Sequence, residues 1–233
     1  MTIAIMQPYL FPYIGYFQLI NAVDKFVVYD EIEYTKKGWI NRNRILMNGA
    51  DHLFTIPIKN DSDFLHVNKR FLADNYPGYK KKIKNQISSA YSKSPQFNIA
   101  YPVIEECLDF DNYNLFEFIF NAVSKICDYA DIKTEFVISS NLNIDADVKG
   151  EKKVIEINKI LNSSLYINAI GGLDLYIKEN FLKANIKLKF LKTDSIHYPQ
   201  FKNEFIANLS IIDVMMFNSK EKIKGYLSSF TLI

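Results

Sequence analysis

Hydrophobic positions in the first 30 residues change period twice. Ile3-Ala4-Ile5-Met6 is apolar on both faces, as suits a central parallel strand over residues 2–6. A turn-prone block from Gln7 to Gly15 follows, with Pro8 and Pro12 inside it. From Tyr16 to Val23 the apolar residues Phe17, Ile20 and Val23 recur at helical spacing, with Tyr16 and Leu19 beside them. A second apolar run, Phe26 to Tyr29, stops on Asp30 and Glu31 and predicts a strand over 25–30. Strand, loop, helix and strand make a βαβ unit, and in such sheets ligands bind beyond the carboxyl ends of the strands.

Residues 32–60 follow another pattern. Asn43 to Met47 runs into Asn48-Gly49, a strong hairpin signal, and His52 to Ile58 returns as the partner strand. Pro57 points to an edge position near that strand's end. A short extended piece is expected around Val67-Asn68-Lys69-Arg70. Helical periodicity then covers about 76–91, 98–108 and 113–130, with Pro95 as a breaker and Asp111 or Asn112 as the expected cap of the third helix. Alternation of strand and helix resumes at Phe136-Val137-Ile138. A helix is expected at 150–161, a strand at 165–167, a helix at 173–184 and a strand at 186–191. Lys187, Lys189 and Lys192 alternate along that last strand and suggest an edge. Helices at about 210–217 and 220–228 close the chain, and Asp213 is an unusual acid inside an apolar run. The expected fold is a single α/β domain over 1–233. It has a mostly parallel, doubly wound (Rossmann-like) sheet, a hairpin insertion at about 32–60 and a helical subdomain at about 76–130.

Composition narrows the function classes. The chain of 233 residues is 48% hydrophobic and 23% charged, which suits an ordinary globular domain. A net charge of +2 gives no general electrostatic case for nucleic-acid or membrane binding. No run approaches the roughly 18 apolar residues of a membrane span. No basic region precedes the N-terminal apolar residues, so no secretory signal is read there and a cytoplasmic protein is expected. Cys107 and Cys127 read as buried free thiols rather than a disulfide framework. With two cysteines and three scattered histidines, the chain carries no metal motif and names no cofactor.

The candidate chemistry concentrates near the N-terminus. Gln7 and Tyr9 follow the first strand directly, and Gly15 at a helix start can bring backbone N–H groups to a phosphate. Asp30, ending the second strand, can accept from a sugar hydroxyl or act as a general base. Lys36, Trp39, Asn41, Arg42, Asn43 and Arg44 form the densest constellation. The guanidinium fork suits phosphate or carboxylate, and the single tryptophan suits stacking on a base or sugar. Strand alternation puts Asn41 and Asn43 on one face and Arg42 and Arg44 on the other. Gly171-Gly172 permits close backbone approach, with Tyr176 one turn later. His197, before Tyr198-Pro199-Gln200, is the histidine best placed to act as a base. No GxSxG occurs to support a covalent triad.

Gln7-Pro8-Tyr9-Leu10-Phe11-Pro12-Tyr13-Ile14-Gly15-Tyr16-Phe17 resembles the opening signature of the WbqC-like protein family. The likeness continues through Val28-Tyr29-Asp30, Tyr34, Lys36, Trp39, Asn41 to Ile45 and Leu53 to Ile58. It returns at Gly171-Gly172 with Tyr176, Tyr198-Pro199-Gln200, Phe205 and Leu209 to Asp213. Members of that family are encoded among enzymes building bacterial surface polysaccharides such as O-antigen. The resemblance implies work on an activated sugar. The expected reaction, an inference from that pathway context, is acyl or aminoacyl transfer to the amine of a nucleotide-linked amino sugar, with an activated acyl donor or carrier as second partner. Gln7, Tyr9, Gly15, Lys36, Trp39, Asn41, Asn43, Arg44, Gly171, Gly172, Tyr176 and Gln200 are then the expected binding residues, and Asp30 or His197 the base. One alternative is a noncatalytic nucleotide-sugar-binding or pathway-partner protein. Another is a divergent nucleotidyltransferase, because strand, Pro-containing loop, Gly15 and helix resemble the phosphate corner of HxGH enzymes. Tyr13 and Tyr16 stand near where the paired histidines would be, and tyrosine supplies no cation.

Overall fold

The computed structural model describes residues 1–145 and 147–233. Its strands are β1 (Thr2–Met6), β2 (Lys25–Val28), β3 (Arg42–Met47), β4 (Ala50–Thr55), β5 (Glu135–Ile138), β6 (Leu165–Ala169), β7 (Lys187–Thr193) and β8 (Phe230–Leu232). The α-helices are α1 (Ile14–Asn21), α2 (Tyr76–Tyr91), α3 (Phe97–Asp109), α4 (Leu115–Tyr129), α5 (Gly150–Ile160), α6 (Lys178–Lys183), α7 (Ile211–Phe217) and α8 (Lys220–Tyr226). None is long and apolar enough to cross a membrane among the described residues.

Side-chain alternation along the strands decides the layering. Ile3 and Ile5 of β1 face one way, with Val27, Tyr166, Leu188 and Phe190, and are covered by Val154 and Ile157 of α5 and Phe181 of α6. Ala4 faces the other way, with Phe26, Val28, Ile167 and Leu191, beneath Leu19 and Ile20 of α1. Each fully buried aliphatic side chain stabilises the fold by about 1.5–3 kcal/mol before entropy is counted. This second core continues without a break into the hairpin β3–β4, the helices α2 to α4, and α7.

The six-stranded sheet runs β5-β2-β1-β6-β7-β8, with all pairs parallel except β7–β8. Starting from the centre, the chain builds β1, β2 and β5 outward, then returns to place β6 and β7 on the far side of β1. The direction of building therefore reverses between β1 and β6, the position where α/β sheets open a crevice at their carboxyl ends.

The hairpin forms as its sequence dictates. Asn48 and Gly49 both take positive φ, 53° and 78°, as a two-residue type I′ turn requires. Four local expectations are corrected. β7 is not an edge strand, because β8 pairs with it antiparallel from Leu191–Leu232 to Thr193–Phe230. Val67–Lys69 is a 3₁₀ turn rather than an extended piece. Asn114, not Asp111 or Asn112, caps α4 by accepting from the Glu117 N–H at 3.1 Å. The expected helix at 173–184 is a 3₁₀ turn over Ile170–Leu175 followed by the short α6.

Asp213 has no solvent exposure and ties three segments together. Its oxygens accept from Tyr91 Oη of α2 at 2.8 Å, Tyr198 Oη at 2.7 Å and Gln200 Nε2 at 2.7 Å. Burial raises its pKa, and these three donors pull it back toward the usual carboxylate range. Tyr91 Oη also accepts from the Leu46 N–H of the hairpin at 2.8 Å. One carboxylate thus joins the helical insertion, the hairpin and the loop carrying His197.

Candidate functional site

The Gln7–Tyr13 segment is shaped by two residues that point inward. Leu10 and Phe11 are fully buried, and Phe11 takes a left-handed φ of 44°, strained for a non-glycine residue. Hydrogen bonds hold it there. Asn43 Nδ2 donates to the carbonyls of Leu10 at 3.0 Å and Phe11 at 2.8 Å, and Ser210 Oγ donates to Phe11 O at 2.8 Å. The Ile211 N–H donates to Pro12 O at 2.9 Å. With the chain so fixed, Gln7, Tyr9 and Tyr13 face the crevice between β1 and β6.

That crevice is a cavity of about 480 Å³. Gln7, Tyr9, Tyr13 and Gly15 come from the β1 side, Asn168, Gly171, Gly172 and Tyr176 from the β6 side, Tyr29 from just after β2 and Glu151 from α5. Tyr9 Oη donates to Gln7 Oε1 at 3.1 Å, and Tyr16 Oη donates to Gln7 O at 2.9 Å. A Cβ on Gly15 would collide with the Tyr13 ring and stand 2.6 Å from Thr193 Oγ1, so only glycine fits there. A Cβ on Gly172 would collide with the Asn168 amide, whereas the space beside Gly171 is open. Glu151, the lone acid in the lining, is occupied by the Ile177 N–H at 2.6 Å and Asn180 Nδ2 at 2.6 Å. Among the described residues, no lysine or arginine lines this chamber. Burial pushes the phenols of Tyr9, Tyr13 and Tyr176 above the ordinary tyrosine value, so they stay neutral. The chamber is aromatic and rich in amide and hydroxyl partners, and the Glu151 carboxylate in its wall is already held by two neutral donors.

Tyr9 and Tyr13 also wall a second cavity, of about 500 Å³, between the hairpin and β7. Trp39, Asn43, Arg44, Lys192, Thr193 and Asn208 complete its polar and aromatic lining. The Arg44 guanidinium lies over the Trp39 ring at 5.4 Å, and its Nη1 donates to Asp51 at 2.9 Å. Lys192, Thr193 and Asn208 in turn border a third cavity, of about 670 Å³, which holds Ser195, His197 and Tyr198. His197 Nε2 and Ser195 Oγ are 2.8 Å apart, and the imidazole packs against Phe205 with ring centres 4.8 Å apart.

Ten of the fourteen sequence-derived residues thus line this run of cavities: Gln7, Tyr9, Gly15, Gly171, Gly172 and Tyr176 in the first, Trp39, Asn43 and Arg44 in the second, and His197 in the third. Four lie elsewhere. Asp30 is 1% exposed and lines none of the three. It accepts from Ser139 Oγ at 2.8 Å, Ser140 N at 3.0 Å, Ser140 Oγ at 2.8 Å and Asn68 Nδ2 at 2.7 Å. Those four bonds lock the end of β2 to its neighbours and leave no oxygen free for base chemistry. Asn41 is buried, donating to Ile56 O at 2.7 Å and accepting from Tyr34 Oη at 2.9 Å. Gln200 is buried against Asp213 and the Ile206 backbone. Lys36 is exposed and pairs with Asp63 at 2.9 Å. The face argument for 41–44 holds: Asn41 and Asn43 are buried, Arg42 and Arg44 half-buried. Arg42 is consumed by the Gly38 and Lys36 carbonyls.

Tyr29, Glu151, Asn168, Lys192, Thr193 and Asn208 were not singled out as site residues from sequence. Asn168 and Thr193 had a readable signal, as polar residues ending apolar strand runs where ligands bind. Lys192 was absorbed into the alternation of β7. Among the described residues, no group of three or more His, Cys, Asp or Glu is placed to hold a metal ion.

The profile of the WbqC-like protein family matches residues 7–225. The chain is also 27% identical over 227 residues to the uncharacterised protein Rv1507c of Mycobacterium tuberculosis, an alignment covering 97% of this chain and 96% of that protein. No solved structure matches it.

Proposed function

From the chain's membership of the WbqC-like protein family, we propose that it serves bacterial surface-polysaccharide assembly by transferring an acyl or aminoacyl group to the amine of a nucleotide-linked amino sugar. The sheet order, with its reversal between β1 and β6, supports a Rossmann-like reading and a ligand at the strand carboxyl ends. The observation that carries the proposal is the run of three cavities there: a tyrosine-lined chamber, a cation-bearing chamber, and one holding His197. Phenols, amides and aromatic faces suit a sugar or base, and cations suit the anionic link between them. His197 is the base in this reading. As the amine nitrogen attacks the acyl carbonyl, an N–C bond forms and the bond from the acyl carbon to its carrier breaks. The imidazole takes the amine proton and returns it to the departing group.

A noncatalytic binding module is the second reading, favoured by the engagement of Asp30 in four structural hydrogen bonds. Product formation separates the two. Incubation with nucleotide-linked amino sugars and activated acyl donors, followed by mass spectrometry, yields an acylated sugar if the chain is the transferase. Tight binding with no mass change across the panel favours the module. In the transferase, His197→Asn lowers turnover about 100-fold or more and leaves sugar-nucleotide affinity near wild type. Unchanged turnover removes His197 as the base.

A further inference from the structure

We infer that the second cavity is a phosphate subsite in which Lys192 and Arg44 grip the ligand's phosphate oxygens from opposite walls, one from the end of β7 and the other from the hairpin. This rests on the reading above that the ligand is nucleotide-linked, and it adds where the phosphates lie.

The charge distribution is the first argument. Arg44 and Lys192 line this chamber, and among the described residues no carboxylate lines it and no cation lines the neighbouring tyrosine chamber. In many α/β sheets a dinucleotide's phosphates sit at the turn after the first strand. Here that turn presents Gln7, Tyr9 and Tyr13, and positive charge is displaced toward the hairpin and β7.

The second argument is what the cations already hold. Of the three Arg44 nitrogens, Nη1 alone has a protein acceptor among the described residues, and Nε is buried with none. Nε is shut off from the cavity, so Nη2, which has no protein acceptor among the described residues, is the part of the fork left to receive a ligand oxygen. Asp51 on one side and the Trp39 ring beneath fix the plane of that fork before any ligand arrives, lowering the entropy lost on binding. Lys192 is exposed and makes neither a salt bridge nor a hydrogen bond with its side chain among the described residues. Many other lysines, such as Lys25, Lys36, Lys59, Lys84 and Lys153, do pair with acids. Thr193 Oγ1 and the phenol of Tyr13 stand in the same wall, beside the start of α1, as hydroxyl donors for further oxygens. A planar fork, a mobile ammonium and two hydroxyls make a donor set for several phosphate oxygens.

Isothermal titration of the full chain with inorganic pyrophosphate tests the assignment, with malonate as a carboxylate control. Pyrophosphate is expected to bind wild type, to weaken as salt rises, and to bind Lys192→Gln about tenfold or more weakly. Lys187→Gln, at the exposed far end of the same strand, keeps wild-type affinity. Lys192→Gln removes no internal contact, so its melting temperature stays at the wild-type value. Equal pyrophosphate affinity in wild type and Lys192→Gln overturns the subsite, and so does malonate binding as tightly as pyrophosphate. If no nucleotide-linked sugar binds but pyrophosphate does so through Lys192, the functional reading fails and the subsite stands. If nucleotide-linked sugars bind equally to wild type and Lys192→Gln, the subsite fails and the functional reading stands.

Discussion

Asp30 and Asp213 are both acids in apolar company, and both hold segments together. At Asp30, four donors converge on two oxygens. Asp30→Asn turns one oxygen into an NH₂ group facing other donors, and an unmatched buried group costs about 1–3 kcal/mol. The expected outcome is a lower urea midpoint, with ligand affinity changed little in the fraction that remains folded. At Asp213 the prediction concerns pH. Its folded pKa is raised above 3.8 by burial. A carboxyl shifted that way contributes stability that is fully present below the unfolded pKa and is lost as pH rises through the folded one. The stability of wild type relative to Asp213→Asn therefore increases as pH is lowered from neutral toward about 4. Urea midpoints of both proteins across that range check it, and a constant difference would contradict it. Sequence made Asp213 visible as an anomaly but could not reveal its three donors. Tyr91 lies 122 positions away, and only the tertiary fold brings it near.

At the scale of elements, legibility followed how local the cause was. The hairpin turn is written in two adjacent residues, and both take the backbone geometry their types prefer. Gly49→Ala puts a side chain at φ +78° and sets its Cβ 2.9 Å from Asn203 Oδ1. Roughly 1 kcal/mol or more of destabilisation is expected, measurable as a shift in thermal midpoint. β7 is the opposite case. Its alternating lysines read as an edge, and the strand that covers it, β8, has three residues at the far end of the sequence. The candidate site divides in the same way. Residues within the β1 loop and the hairpin were found by their type and crowding. Asn168 and Thr193 carry a local signal at the ends of apolar strand runs, but that they and Lys192 border the same cavities as the β1 loop and the hairpin follows only from the strand order, which no local pattern encodes.

At the scale of the whole molecule, the core on one sheet face runs from Ala4 and Phe26 through Leu19 of α1 and Phe54 of the hairpin to Leu108 and Phe118 of the helical insertion. The Asp213 hydrogen bonds cross the same boundaries. An insertion packed so continuously has no separate core of its own to retain. We therefore expect one unfolding transition. Far-ultraviolet circular dichroism, reporting helix, and near-ultraviolet dichroism, reporting aromatic packing, should trace superimposable urea curves. A resolved first step with loss of helix would mean that α2 to α4 fold independently. The buried free thiols belong to the same core. Burial pushes Cys107 up to about 12 and Cys127 higher still, so neither thiolate is available while the chain is folded.

Trp39 is the single indole in the chain, 44% exposed, with the Arg44 guanidinium 5.4 Å from its ring centre. Its fluorescence therefore comes from one known place, at the wall of the cation-bearing chamber. With the ring nearly half exposed, water reaches it, which shifts emission toward the red. A ligand that covers the ring or moves the guanidinium changes both colour and intensity, with no second emitter of its kind to dilute the signal. The fold thus carries its own optical reporter of occupancy, usable on the native sequence without a label.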